Sequence, residues 1–209
     1  MNVLVIGGTR GIGKAVVLAA HAAGHTLTVM ARHATIFADT ASGIRTVIGD
    51  AADATDVDRA TEGQDAVVWT AGMAPTRRPV QMFSRSTQFL IAAMTRHRVR
   101  RLICVTGIGA GDSKGHGGFL YDHILQPVFM GSIYADKDRQ EAQIRDSTLD
   151  WTIVRPATLT NGPPTGLYQA LTSTPDNHVG RVSRADVAEF IVANLAAPEF
   201  VHQTVLLAT

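Results

Sequence analysis

The sequence predicts a doubly wound α/β fold, a mainly parallel sheet with helices on both faces. Three observations lead there. Short apolar runs rich in Val, Ile and Leu recur along the chain, the pattern of strands covered on both faces. Longer stretches with helical spacing separate them, so that strand and helix alternate in βαβ fashion. A glycine-rich turn lies between the first run and the first helical stretch.

In order along the chain, Val3-Leu4-Val5-Ile6 marks a strand at 2–6, and the glycines after it open a helix near 11–23. Strands follow at 26–31 and 44–48, a helix near 53–61, and a strand at 66–70. A helix near 82–97 leads to Leu102-Ile103-Cys104-Val105 in a strand at 101–106. A helix near 134–146 and a strand at 150–154 come next. The last helix, 184–197, begins after Ser183, which with Asp186 has capping-box spacing, and stops before Pro198. A late strand at 203–207 completes the series. The irregular stretches, about 107–133 and 161–182, follow strands at their carboxyl ends, where open α/β sheets bind ligands.

With 209 residues, 45% hydrophobic and 18% charged, one domain spanning 1–209 is expected, since the chain can bury one sizeable core. A formal net charge of +1 provides no overall basic field for a nucleic acid. Cys104 is the single cysteine; neither a disulfide nor a thiolate metal cluster can form within the chain, and the expectation is a small buried hydrophobe in a reducing, cytoplasmic setting. No run approaches a membrane span of about 18 apolar residues, and no signal-peptide core is recognisable. The histidines show no metal-ligand spacing, so no metal site is expected. The basic run Arg96-His97-Arg98-Val99-Arg100-Arg101 has no interleaved aromatics and falls at a helix C-terminus, where cations face the helix dipole. The expected partner is a small molecule, and the expected state a monomer or small homo-oligomer.

The turn Gly7-Gly8-Thr9-Arg10-Gly11-Ile12-Gly13 joins a strand to a helix N-terminus, the geometry a dinucleotide pyrophosphate requires. It lacks the Gly-Lys-Ser/Thr ending of a P-loop. The second strand runs into Arg32, where an acidic residue would hold a ribose 2′-hydroxyl and an arginine suits a 2′-phosphate; Arg10 stands ready to close from the turn. NADP(H) is therefore expected in preference to NAD(H). Asp39 lies too far along for the acidic role. Asp50, after the third strand, is either an acceptor for an adenine amino group or a turn aspartate. Ala71 and Gly72 are small enough to admit a ribose.

These residues resemble the short-chain dehydrogenase/reductase superfamily: GGTRGIG near the start, Gly49-Asp50, Thr70-Ala71-Gly72, a strand ending Val105-Thr106-Gly107, and VRPATL at 154–159. The pattern is more closely similar to the compact, atypical members that include the NAD(P)H-binding NmrA-like proteins and the biliverdin/flavin reductases, and the run from Val47 through Val67 resembles the latter in particular. The resemblance implies a Rossmann domain with Gly7, Thr9, Arg10, Gly11, Ile12 and Gly13 around the pyrophosphate. It implies Arg32 at the 2′-phosphate, Asp50 by adenine, and Ala71 and Gly72 by the adenosine ribose. It further implies Thr106 near the nicotinamide ribose, and Pro156, Ala157, Thr158 and Leu159 against the carboxamide.

Carbonyl-reducing members carry Tyr-x-x-x-Lys on a helix, whereas this chain reads Tyr134-Ala135-Asp136-Lys137-Asp138, with the lysine one residue early. Lys137 either reaches Tyr134 from the other side or belongs, with Arg139 and Glu141, to a polar helix start. Thr106 either orients a substrate oxygen or satisfies a backbone group. Thr106, Tyr134 and Lys137 are the catalytic candidates, and Met73, Phe119, Tyr121 and Tyr168 the candidates for an aromatic-binding pocket. A conjugated acceptor takes hydride with solvent supplying the proton, so the displaced lysine favours a flavin, quinone or tetrapyrrole-like substrate. The alternatives are a non-catalytic NADP(H) sensor and an epimerase or carbonyl reductase using Tyr134.

Overall fold

A computed structural model describes residues 1–33, 43–108, 130–173 and 180–209. The strands are β1 (Asn2–Ile6), β2 (Thr26–Ala31), β3 (Ile44–Ile48), β4 (Ala66–Trp69), β5 (Arg101–Val105), β6 (Asp150–Pro156), β7 (Thr158–Thr160), β8 (Gln169–Leu171), β9 (Arg181–Ser183) and β10 (Gln203–Ala208). The helices are α1 (Gly11–Ala22), α2 (Ala54–Thr61), α3 (Met82–His97), α4 (Gly131–Arg145) and α5 (Arg184–Ala193). Among the described residues the main sheet runs β3-β2-β1-β4-β5-β6-β10-β8, parallel except for β8 against β10, and β7 pairs with β9 apart from it. This is a Rossmann fold. The strand order reverses between β1 and β4, which opens a crevice beyond their carboxyl ends.

Alternation along the strands splits the core in two. Val3 and Val5 face a cluster with Val16 and Val17 of α1 and Val187 and Ile191 of α5. Leu4 and Ile6 face one with Val57 of α2, Leu90 and Met94 of α3, and Ile144 of α4. Both faces of β1 are thus dry, as its unbroken apolar run requires. Cys104 is fully buried in the second cluster, and burial pushes its thiol well above the usual range.

The structure alters several expected boundaries. The last helix ends at Ala193 rather than 197, because the Asn194 side-chain amide donates to the Phe190 carbonyl at 2.8 Å and closes the helix there. The fourth helix begins three residues before Tyr134, at Gly131. The stretch expected to be irregular at 161–182 contains β8 and the start of β9, and β7 precedes it. Three-residue strands carry too few positions for alternation to register, and their pairing partners lie far off in sequence.

The basic run is consumed within the fold. Arg96 pairs with Asp58 at 2.9 Å, Arg100 grips Asp150 through two bonds of 2.9 and 3.0 Å, and buried Arg101 donates to the carbonyls of Asn194 and Asp150, each at 2.7 Å. No helix among the described residues is long and apolar enough to cross a membrane.

Candidate active site

A cavity of about 420 Å³ opens at the carboxyl ends of β1, β4, β5 and β6. It brings together Ile12 of α1, Ala71 and Gly72 beyond β4, Thr106 beyond β5, Tyr134 and Lys137 of α4, and Pro156, Ala157, Thr158 and Leu159 at the end of β6. These are ten of the residues singled out above, drawn from five separate parts of the sequence.

The glycine turn forms one wall, and its glycines answer to packing. A Cβ on Gly7, whose φ is +88°, would sit 2.6 Å from the Ala71 amide nitrogen. One on Gly13 would overlap the Gly7 carbonyl oxygen and Thr70 Oγ1, the hydroxyl that ties β4 to β1 by donating to the Ile6 carbonyl at 3.1 Å. The start of α1 carries no side-chain cap and no acidic residue in its first turn. Its amide donors and dipole are thereby left for an anion. Thr9 is half-buried in this turn, while Arg10, Gly11 and, beyond β2, Arg32 are exposed. Arg184, at the start of α5, flanks the same turn: its Nε is 3.8 Å from where a Cβ of Gly11 would lie. Its Nη1 donates to the Thr160 carbonyl (3.1 Å) and Asn161 Oδ1 (2.7 Å).

Asp50 serves the turn before α2, where its Oδ1 accepts from the Ala52 amide at 2.9 Å. Met73 is exposed beyond Gly72 and does not line the cavity. Tyr168 packs edge-on against Phe190, with ring centroids 6.1 Å apart, at the margin of the core. Phe119, Tyr121 and Asp39 lie outside the described residues, as do parts of both expected loops.

The most unexpected chemistry is on α4. Rather than a solvated polar start, the helix carries buried charge. Asp136 is fully buried and reaches the N-terminus of α3, where its Oδ2 accepts from the Phe83 amide at 2.8 Å and its Oδ1 from Ser84 Oγ at 2.5 Å. Gln81, the residue before α3, makes no side-chain cap, so Asp136 caps that helix from a neighbouring one. Lys137, next along, donates from Nζ to the Thr106 carbonyl and holds its ammonium 5.2 Å from the centroid of the Phe83 ring. Burial pulls its pKa down to about 8, against the raising influence of Cys104 and Glu141.

One turn further, Glu141 is fully buried. Its Oε1 accepts from Thr106 Oγ1 at 2.7 Å and Arg155 Nε at 3.1 Å, and its Oε2 from Arg155 Nη2 at 2.6 Å and Arg145 Nη2 at 2.8 Å. Glu141, Arg145, Arg155 and Arg184 were not singled out from sequence as site residues. Arg155 did leave a signal, as a charge inside the apolar strand Trp151–Pro156. Lys137, Glu141 and Arg145 left another, in their i, i+4 spacing on one helix face.

Comparison with known proteins matches the model of the NAD(P)H-binding family over residues 7–198. The chain belongs to that family. The uncharacterized sugar epimerase YhfK of Bacillus subtilis (strain 168) is 28% identical over 143 residues, which are 67% of this chain and 61% of that protein. The UPF0659 protein YMR090W of Saccharomyces cerevisiae is 26% identical over 152 residues, 70% of this chain and 63% of that protein. The matched region thus spans less than two thirds of either relative. Among solved structures, ChuY, an anaerobillin reductase from Escherichia coli O157:H7, superposes with a TM-score of 0.84 at 27% identity, covering 100% of this chain and 97% of that one. The fold and the family together identify an NAD(P)H-binding protein built on a Rossmann domain.

Proposed function

We propose that the protein is a reductase of the atypical short-chain dehydrogenase/reductase type that delivers hydride to a planar conjugated acceptor such as a flavin, quinone or tetrapyrrole-like molecule. NADP(H) is its donor in preference to NAD(H). The observation that carries the reading is the destination of Lys137. Its ammonium is anchored on the Thr106 carbonyl and the Phe83 ring, whereas carbonyl reduction needs the lysine to act on the tyrosine phenol. Such a site positions an acceptor more than it protonates one. The likeness to ChuY, an anaerobillin reductase, supports the tetrapyrrole-like end of the class.

The residues present fit the dinucleotide. The uncapped start of α1 suits its pyrophosphate, with Gly7 and Gly13 holding the turn tight against β4 and Thr9 and Gly11 beside the approach, and a Cβ on Gly72 would meet nothing within 4 Å, so there is room for a ribose. Arg10 and Arg32 hold the 2′-phosphate, and Asp50 offers adenine its remaining carboxylate oxygen. Pro156 to Leu159 bound the nicotinamide end. When bound, the reduced nicotinamide supplies the hydride. Around it Ile12 and Ala157 exclude water, Tyr134 flanks the acceptor, and Lys137 stands by with an ammonium able to release a proton near neutral pH. The assignment describes one cytoplasmic domain acting on a small molecule as a monomer or small homo-oligomer.

The test is stopped-flow oxidation of NADPH, and separately NADH, with FMN, a quinone and a small ketone offered in turn. Rapid loss of NADPH with FMN or quinone that survives Tyr134→Phe is the expected result. Turnover of the ketone alone, abolished by Tyr134→Phe, would replace this reading with tyrosine-based carbonyl or epimerase chemistry. Dinucleotide binding with no acceptor reduced would replace it with a sensor.

A further inference from the structure

Thr106 has two protons to give, and both are committed inside the protein. Its amide donates to the Val154 carbonyl at 2.9 Å, and its hydroxyl donates to Glu141 Oε1 at 2.7 Å. The second commitment is enforced by the surroundings of Glu141. Among the described residues the other groups on that carboxylate are arginine N–H donors, two from Arg155 and one from Arg145, so all four of these contacts are donors and the carboxylate accepts. Arg155 is 2% exposed and Glu141 is wholly enclosed, so water does not compete for the bonds from Thr106 and Arg155, while the Arg145 side chain stays partly exposed. A buried charge cluster satisfied in this way is rigid, because removing any one bond leaves a desolvated group behind. The Thr106 carbonyl is meanwhile taken by Lys137. Thr106 lines the cavity, and the hydrogen-bonding capacity left to its side chain is the lone pairs of the hydroxyl oxygen.

We infer that Glu141 fixes Thr106 as a hydrogen-bond acceptor toward the cavity, so that the ligand group seated at the end of β5 is a donor, a hydroxyl or amide N–H of the dinucleotide. An acceptor oxygen gaining negative charge is not activated there; among the cavity groups named above, that task is left to Tyr134 and Lys137. Glu141 is a positioning residue acting through Thr106. The inference rests on the reading of this cavity as the dinucleotide site.

Replacing Glu141 with glutamine reverses the polarity. The amide oxygen turns to the side where both arginines meet, the amide nitrogen faces Thr106, and the threonine hydroxyl, now accepting from that nitrogen, points its own proton elsewhere. The experiment is a double-mutant cycle on NADP+ affinity, by calorimetry on the full chain, with Thr106→Val, Thr106→Ser, Glu141→Gln and the pair Thr106→Val with Glu141→Gln. Thr106→Val is expected to weaken NADP+ by about tenfold, the worth of one good hydrogen bond. Thr106→Ser stays within about twofold of the unmodified protein. Glu141→Gln also costs about tenfold, yet adds nothing once Thr106→Val is present. In turnover, the Thr106→Val loss appears in KM for NADPH rather than in kcat.

Additive losses for the pair would make Glu141 merely structural and overturn the inference. So would a Thr106→Val variant that binds NADP+ normally but loses about a hundredfold in kcat, the signature of a donor to the acceptor oxygen. Should Glu141→Gln fail to fold, the Thr106 pair and the KM-against-kcat split decide alone. An unmodified protein that binds neither NADP+ nor NAD+ overturns the dinucleotide reading and this one together, whereas normal binding indifferent to Thr106 overturns this one only.

Discussion

Replacing Asp136 with alanine separates a cap borrowed from another helix from an ordinary one. The carboxylate holds the Phe83 amide and the Ser84 hydroxyl at the start of α3, and both sites are buried. Loss of an N-cap costs about 1 kcal/mol, and each buried donor left without an acceptor costs about 1–3 kcal/mol more. Arg139, whose side chain is half exposed, rehydrates and adds little. Taking the low end for both donors, since the Ser84 hydroxyl can also turn to the Gln81 carbonyl, the sum is about 3 kcal/mol. With a urea m-value of about 3 kcal/mol/M for a chain of this size, the unfolding midpoint falls by about 1 M at unchanged slope. The internal control is Asp53→Ala. Asp53 caps α2 at an exposed position, accepting from the Thr55 and Asp56 amides at 2.8 and 3.1 Å, and its loss is confined to the cap, about 1 kcal/mol. Equal midpoint shifts for the two variants would refute the claim that burial makes the Asp136 cap the more consequential.

Two further predictions follow from charge. Burial holds the Lys137 pKa near 8, below the ordinary lysine value of about 10.4, so between those pH values this group binds fewer protons in the folded protein than in the unfolded one and its contribution makes stability rise with pH. A Lys137→Met variant should lose that rise in a Tm-against-pH series over the same window; persistence of the rise would show that another group causes it. Arg32→Ala should raise KM for NADPH about tenfold and leave NADH unaffected, read from initial rates with each donor. Equal effects on both would remove Arg32 from the 2′-phosphate.

The sheet was legible because its central strands bury both faces. Once β1, β4, β5 and β6 are recognised as dry strands, the crossover rule brings their carboxyl ends to one side, and the residues after them must converge. The resemblance to a known superfamily implied that Ala71, Thr106 and Pro156 serve one ligand, and the strand ends explain physically why the fold brings them together. The short strands β7, β8 and β9 were not legible, since their stability comes from partners rather than from their own pattern. Nor was the inward face of α4. Asp136, Glu141 and Arg145 read as solvated in any local view, because a polar residue looks alike whether it meets water or a buried arginine. Only contact with α3, β5 and β6 distinguishes the two. The displaced lysine is the instructive case: spacing along α4 indicated that Lys137 was unusual, while its attachment to the Thr106 carbonyl depends on where β5 ends.

Helix α4 is held at three heights by ions that cannot be rehydrated in place: Asp136 on α3, Lys137 on the end of β5, and Glu141 on Arg155 of β6. Sliding it by one turn, about 5.4 Å, would strand all three at once. The cavity floor is therefore a fixed template, and discrimination among flat acceptors at this surface becomes a matter of outline. A molecule whose polar edge does not coincide with these fixed positions is turned away by the stiffness of the helix.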